Sequence, residues 1–195
     1  PKEDIANSNL ESYVEYLFCD SISAQKDILN LTSGTTIDRQ LPVSLFEGSK
    51  LNTTGVFTGG KSAIDFWALN GDTINVYELK SDNPMVGIIT EIFFYSNYVH
   101  DVFISKSLDH GKGSVDIEDG TYRSYDKIKG NKGKQVKGIM LSNSNRKGWH
   151  SSLVPPIRTA IEKIMNANGM SGAIQYEFLE YQLNPLKIGG YYISK

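Results

Sequence analysis

The segment IDFWALNGDTINVYELK, residues 64–80, decides the fold. It predicts two apolar strands joined at Asn70-Gly71, because both central residues of a type I′ hairpin turn need φ > 0 and Asn-Gly meets that need best. Three charged residues interrupt these strands: Asp65, Glu78 and Lys80. Since side chains alternate between faces along a strand, the predicted hairpin places all three on one face of the sheet.

The predicted register sets the spacing of the two carboxylates. A two-residue loop pairs Leu69 with Asp72 and Asp65 with Val76, so Glu78 becomes the diagonal neighbour of Asp65, at roughly 7–8 Å between backbones. One unpaired carboxylate among apolar residues costs several kcal/mol, and two close together repel, so that one takes up a proton. A divalent cation relieves both effects, and Mg²⁺ prefers one or two carboxylates together with water and phosphate oxygens.

The alternative explanation of these charges is an ion pair. Lys80 would then pair with Glu78 or Asp65 at an exposed end of the sheet, without any metal. The hairpin spacing alone does not separate this structural role from a metal site.

Hydrophobic spacing predicts the remaining elements. The predicted helices cover 8–21, with Ser8 as N-cap, a short segment within 24–34, 85–103 and 151–169; the predicted strands cover 35–46, 135–142, 172–183 and 187–194. Pro42 makes the first of these strands an edge strand or a broken one. The order predicts an α/β fold with helices on both faces of a central mixed sheet. We expect a single domain over 1–195, with 105–135 as a polar loop excursion.

Composition narrows the class of protein. The chain is 39% hydrophobic with a net charge of −2 and a pI near 6.0, unlike a strongly basic nucleic-acid coat protein. No apolar run approaches the ~20 residues of a membrane span, so we expect no membrane partner. The single cysteine, Cys19, fits a reducing compartment and a buried structural role, which predicts a cytoplasmic location. A homodimer is compatible with the sequence, but nothing in the sequence indicates one.

The charged motif resembles that of the PD-(D/E)xK nuclease superfamily: Asp65, twelve intervening residues, then Glu78-Leu79-Lys80. That superfamily has an α-β-β-β-α-β, restriction-endonuclease-like core with the motif on its second and third strands, and the resemblance covers roughly residues 8–142. It departs from the eponymous motif at Ile64, where the motif has Pro. The resemblance implies Mg²⁺-dependent hydrolysis of DNA, with Mn²⁺ as a substitute cation. Asp65, Glu78 and the Leu79 carbonyl would bind the metal, and Lys80 would position or activate the attacking water.

The resemblance also implies acidic residues on the flanking helices. Glu11 or Glu15 would come from the preceding helix, and we prefer Glu11 because it is in line with Val14 and Phe18. Glu91 would come from the following helix.

A basic strip is the predicted contact with DNA. Between Arg123 and Lys147 there are eight Lys or Arg residues against one Asp, a local excess of seven positive charges. Such a strip neutralises backbone phosphates without reading sequence, although a solvated loop has the same composition. The candidate DNA-binding residues are Lys61, Lys127, Lys129, Lys132, Lys134, Lys137, Arg146 and Lys147. The aromatic residues interleaved with the strip, which we expect to stack on bases, are Tyr122, Tyr125 and Trp149.

A competing motif lies just before the hairpin. GVFTGGKS, residues 55–62, satisfies the P-loop pattern G-x-x-x-x-G-K-[ST], which requires a buried strand before it and a helix after it. The preceding residues are polar and Asn70-Gly71 follows too soon for that helix, so we interpret 55–62 as a Gly-rich turn. A helix beginning at Lys61 would support a nucleotide-binding protein, and a strand over 63–69 would exclude it. The other alternative is a DNA-binding module with the nuclease fold but without catalysis.

Overall fold

A computed structural model describes residues 10–46, 53, 55–81, 87–108, 127–128, 133–146, 148–149, 152–187 and 190–195, and for 44–46 and 55–61 it describes the backbone alone. The helices are α1 (Leu10–Asp20), α2 (Ile22–Asp27), α3 (Gly87–Val99), which continues into a π-helical turn (His100–Ile104), and α4 (Val154–Ala167). The strands are β1 (Thr36–Phe46), β2 (Gly55–Asn70), β3 (Thr73–Lys80), β4 (Gln135–Asn143), β5 (Ile174–Pro185) and β6 (Tyr191–Ser194).

The strands form one six-stranded mixed sheet in the order β1-β2-β3-β4-β5-β6. The pairs β1–β2, β2–β3 and β5–β6 are antiparallel, whereas β3–β4 and β4–β5 are parallel. Helices α3 and α4 lie within the two connections between parallel strands, as such crossovers require. The predicted α/β class is confirmed, and β1, which contains Pro42, is an edge strand.

Helices cover both faces of this sheet. One apolar core joins α3 and α4 to side chains such as Ile74 and Val76, and the other joins α1 and α2 to Phe66 and Tyr77. Because β3 contributes to both cores, it is buried on both faces, and its charged residues are conspicuous there. No helix in the described residues combines the length and the apolarity that a membrane crossing requires.

The hairpin register differs from the predicted one by two residues. Leu69 pairs with Ile74 and Trp67 with Val76, so the loop is Gly71-Asp72 rather than Asn70-Gly71. Gly71 has a φ of +61°, while Asp72 keeps a negative φ. A positive φ at the first loop position alone is what a type II′ turn needs, and Gly fills that position without steric cost.

The predicted Gly-rich turn over 55–62 is wrong. These residues belong to β2, whose pairing with β1 continues from Leu69 opposite Thr36 to Gly55 opposite Phe46, with register shifts beyond Val43. Since a strand runs from Gly55 to Asn70, no helix begins at Lys61, and the P-loop context is absent.

The predicted excursion over 105–135 lies mostly outside the described residues. Residues 105–108 and 133–134 carry no helix or strand, and Lys127 and Ile128 are helical. Ile128 is buried in the core on the α3 face, so the chain returns to the sheet at this point.

Candidate active site

The predicted site residues come together at the carboxyl end of β3. Lys80 Nζ lies 3.2 Å from Glu78 Oε1 and 3.4 Å from Glu91 Oε2, a residue of α3. The ion pair between Lys80 and Glu78 that the sequence allows is therefore present. It satisfies only one oxygen of the Glu78 carboxyl group.

Asp65 enters the site from β2. The backbone pairing of β2 with β3 ends at Phe66 opposite Tyr77, and the Asp65 side chain then accepts the Leu79 backbone N–H, at 2.8 Å to Oδ2. A residue in an antiparallel pair directs its N–H and its C=O toward the same neighbour. The Leu79 carbonyl therefore points to the side on which Asp65 lies.

Glu78 is a buried carboxyl group with an unsatisfied oxygen. The residue is 4% exposed, and its Oε2 has no hydrogen-bond partner among the described residues. Burial and the neighbouring Asp65 charge raise the pKa of Glu78 to about 9, although Lys80 acts against them. Burial also raises the pKa of Asp65 to about 7, against the lowering effect of the Leu79 N–H. Two desolvated carboxyl groups thus retain protons at a pH where exposed carboxyls are ionised.

These donors fit a hard divalent cation. Among the described residues no three His, Cys, Asp or Glu side chains form a metal-binding group. Mg²⁺ does not need three, because it is usually held by one or two carboxylates and keeps several waters or substrate oxygens. The residues that would hold it are Asp65 and Glu78, with the Leu79 carbonyl as a third protein ligand.

Lys80 keeps its proton in this environment. Burial by itself lowers the pKa of Lys80, but the surrounding carboxylates, led by Glu78, more than offset that effect and raise it. A lysine held in this way donates hydrogen bonds and positive charge, and it does not act as a base.

The two α1 glutamates have different surroundings. Glu11 Oε1 accepts the backbone N–H of Ser81, directly after β3, at 3.4 Å, so Glu11 lies beside the end of this strand. Glu15 is buried, and its Oε2 accepts hydrogen bonds from Arg39 and Gln40 of β1.

Tyr95 also lies at the site, although it is not among the residues predicted from the sequence. Burial and the charges of Glu78, Glu91 and Asp65 raise the pKa of Tyr95 to about 12, and its hydroxyl hydrogen-bonds with Ser62 of β2. The available signal was helical spacing, because Tyr95 follows Glu91 by four residues and so lies on the same face of α3.

The lysines of the basic strip that the structure describes already have acidic partners. Lys127 pairs with Asp38 at 2.6 Å, Lys134 with Asp72 at 2.9 Å and Lys137 with Glu177 at 3.4 Å. In the pairing of β3 with β4, Lys137 lies opposite Asn75, near the start of β3, whereas Lys80 lies opposite Ser142, at the end of β3. The two lysines are therefore at opposite ends of the sheet.

Of the other candidate DNA contacts, only Arg146 and Trp149 have side chains within the described part of the chain. Arg146 is exposed and follows the carboxyl end of β4, at the same end of the sheet as Lys80. The indole N–H of Trp149 donates to the Leu179 carbonyl at 3.1 Å and its ring meets Phe178 edge-on, so this side chain is engaged in packing rather than free to stack on a base. Outside the described residues lie the Lys61 side chain, Lys129, Lys132, Lys147, Tyr122 and Tyr125.

Carboxyl groups from β2, β3, α1 and α3 surround Lys80 at this end of the sheet. A phosphate-bearing substrate would add negative charge, so it requires a cation to approach them. No protein-family model, no curated protein and no solved structure matches the chain.

Proposed function

We propose that this protein is a Mg²⁺-dependent endonuclease of the PD-(D/E)xK type that hydrolyses phosphodiester bonds in DNA. The observation that carries the proposal is the buried Glu78 Oε2 beside Asp65 at the end of β3, which has no hydrogen-bond partner within the described part of the chain. The element order supports it, because helices precede three antiparallel strands, and α3 and β4 follow them. Asp65 lies on the second of these strands, and Glu78 and Lys80 lie on the third.

The protein's own groups have separable roles. Asp65, Glu78 and the Leu79 carbonyl would hold Mg²⁺ or Mn²⁺. When bound, such a cation stabilises charge on the phosphate and lowers the pKa of a coordinated water. Asp65 is kept in place by the Leu79 N–H, and this bond leaves its second carboxylate oxygen for a ligand.

Lys80 would orient the attacking water or a phosphate oxygen. Glu78 and Glu91 hold its ammonium group from two sides, at 3.2 and 3.4 Å, which limits the directions in which it can donate. Because its pKa is raised, the ammonium group stays charged at neutral pH and makes a charge-assisted hydrogen bond to an anionic oxygen.

The substrate we propose is DNA, in a cytoplasmic setting such as restriction, defence against mobile elements or repair. Arg146 at the site end of the sheet supports a contact with a backbone phosphate. The paired lysines Lys134 and Lys137 contribute less, because Asp72 and Glu177 already neutralise them.

A plasmid-cleavage assay with Mg²⁺, Mn²⁺ or EDTA tests the proposal, with single-stranded DNA and RNA as further substrates. We expect cutting that needs the metal and that Asp65→Ala and Lys80→Ala both abolish. Lys134→Ala is the matched control, since it removes a lysine that pairs with a carboxylate at the far end of β3.

Three results would contradict the proposal. Cleavage that survives either site substitution places the active site elsewhere. Cleavage of RNA alone makes the substrate wrong. DNA binding without cleavage, with either metal, identifies a nuclease-fold binding module in place of an enzyme.

A further inference from the structure

Glu15 makes an unusually complete set of contacts with the edge strand. It is 3% exposed, and its Oε2 accepts from Arg39 Nε at 3.2 Å, from Arg39 Nη2 at 3.0 Å and from Gln40 Nε2 at 2.7 Å. Charge-assisted hydrogen bonds of this kind are the stronger ones in proteins. Glu15 thus ties α1 to two consecutive residues of β1.

The backbone of β1 is irregular at the second of these residues. Gln40 has a φ of +54°, in the left-handed region that non-glycine residues rarely adopt. The strand also changes faces there: Ile37 packs against the α1 core, whereas Leu41 and Val43 belong to the α3 core. Regular alternation would place all three on one face.

The same reversal occurs in β2, directly opposite. Phe66 belongs to the α1 core and Ile64 to the α3 core, although they are two residues apart. Arg39 pairs with Phe66 and Leu41 with Ile64, so Gln40 lies across from Asp65. The two strands therefore change faces together, at the position of the candidate metal ligand.

Asp65 meets β3 through its side chain at this reversal. Neither Asp65 nor Gln40 takes part in the backbone pairing of β2 with its neighbours, and the Asp65 side chain accepts the Leu79 N–H. That contact holds the carboxylate beside Glu78.

We propose that Glu15 is a positioning residue for Asp65. By holding Gln40 in its left-handed conformation, Glu15 keeps the two-strand reversal in place and so aims the Asp65 carboxylate at the Leu79 N–H. The catalytic consequence rests on the proposed nuclease function, but the positional effect does not.

Hydrogen exchange at the Leu79 amide reports the position of Asp65 without metal, substrate or activity. In Glu15→Gln, we expect the Leu79 amide to exchange at least about tenfold faster. The loss of one charge-assisted hydrogen bond is large enough to cause an acceleration of that size. The Ile139 and Leu141 amides of β4 should be unchanged. Equal acceleration at all three makes Glu15 a general stability residue, and no acceleration removes the link to Asp65; either result overturns the proposal.

A second pair of variants tests the role of Gln40. Glycine adopts positive φ readily, whereas a β-branched residue does not. Gln40→Gly should therefore retain Leu79 protection and reduce the effect of Glu15→Gln in the double variant, while Gln40→Val should lose protection. A Glu15→Gln effect that is undiminished when combined with Gln40→Gly contradicts the proposal. Should Glu15→Gln not fold, the comparison of Gln40→Gly with Gln40→Val decides alone, and equal protection in both overturns the proposal.

Cleavage kinetics separate this proposal from the proposed function. If the wild-type protein cuts DNA, Glu15→Gln should lower kcat with little change in KM, and Gln40→Gly should keep most of kcat. A wild-type protein that cuts no DNA refutes the proposed nuclease function. Hydrogen exchange at the Leu79 amide still tests the positioning role of Glu15, because that measurement does not require cleavage.

Discussion

Substitution of Glu78 by Gln should change how the stability of the metal-free protein depends on pH. The folded-state pKa of Glu78 is raised from 4.5 to about 9 by burial and by Asp65. Below about pH 4.5 the carboxyl is protonated in both the folded and unfolded states. As the pH rises toward 9, the unfolded chain releases the proton and the folded chain keeps it, so the free energy of unfolding falls.

The magnitude follows from this linkage. While one group is protonated in the folded state and ionised in the unfolded state, each pH unit removes about 1.4 kcal/mol of stability. Between pH 6 and pH 8 the wild-type protein should therefore lose about 3 kcal/mol relative to Glu78→Gln, whose amide has the same shape and does not ionise. The comparison with the variant cancels the pH dependence of carboxyl groups elsewhere in the chain.

Urea unfolding at pH 5, 6, 7 and 8 in EDTA, followed by circular dichroism, measures this difference. Glu91→Gln is the control, because Glu91 also contacts Lys80 but is 45% exposed, so this variant removes a Lys80 contact without removing a buried carboxyl group. If wild type and Glu78→Gln give parallel curves, Glu78 is ionised throughout and Lys80 alone satisfies it. The physical reason for placing a cation between Asp65 and Glu78 would then be gone.

Addition of Mg²⁺ extends the same experiment. The ligands must lose their protons to bind a metal, so the stabilisation by Mg²⁺ should be larger at pH 8 than at pH 6. In Glu78→Gln this stabilisation should largely disappear. Equal stabilisation of both proteins would mean that Mg²⁺ binds elsewhere.

Three further predictions concern the fold. Gly71→Ala should lower the free energy of unfolding in urea by about 1 kcal/mol, because φ is positive at this position. Gly87→Ala should not lower it, because Gly87 is equally free of close contacts but has no positive φ. Burial raises the pKa of Cys19 to about 12, so its reaction with a thiol reagent at pH 8 should be on the order of a thousandfold slower than in urea-unfolded protein; similar rates would contradict this. Phe18→Ala should cost about 3–5 kcal/mol, since its ring is fully buried against Phe66 and Tyr181; a loss no larger than that of Phe94→Ala, at an exposed ring, would refute it.

The elements that could be predicted are those with a strong local pattern. Helices α1, α3 and α4 each present an apolar face at helical spacing, β3 and β5 contain several β-branched or aromatic residues, and β4 contains the apolar run Ile139–Leu141. The first part of β2 could not be predicted, because Gly-rich GVFTGG is typical of a turn. It is a strand only through its pairing with β1, and that pairing is a tertiary interaction.

The basic strip shows a different limit. Local composition counts charges but does not show which of them already have a partner. Lys134 meets Asp72 of the hairpin loop and Lys137 of β4 meets Glu177 of the neighbouring strand β5, so folding neutralises lysines that are adjacent to further lysines in the sequence. A patch predicted from sequence therefore overstates the positive potential of the folded surface.

The expectation that Asp65 and Glu78 share a face did not depend on the exact register, because the shift is an even number of residues. The observed loop moves the pairing by two residues, and a shift of two leaves every side chain on its face, whereas a shift of one would have separated Asp65 from Glu78. Parity alone does not explain the contact, however, because β2 changes faces at Asp65 itself. What brings the two carboxyls together is that Asp65 leaves the backbone pairing and its side chain replaces the missing acceptor at Leu79. That replacement depends on Gln40 and Glu15, which are distant in sequence, and no local pattern around Asp65 contains it.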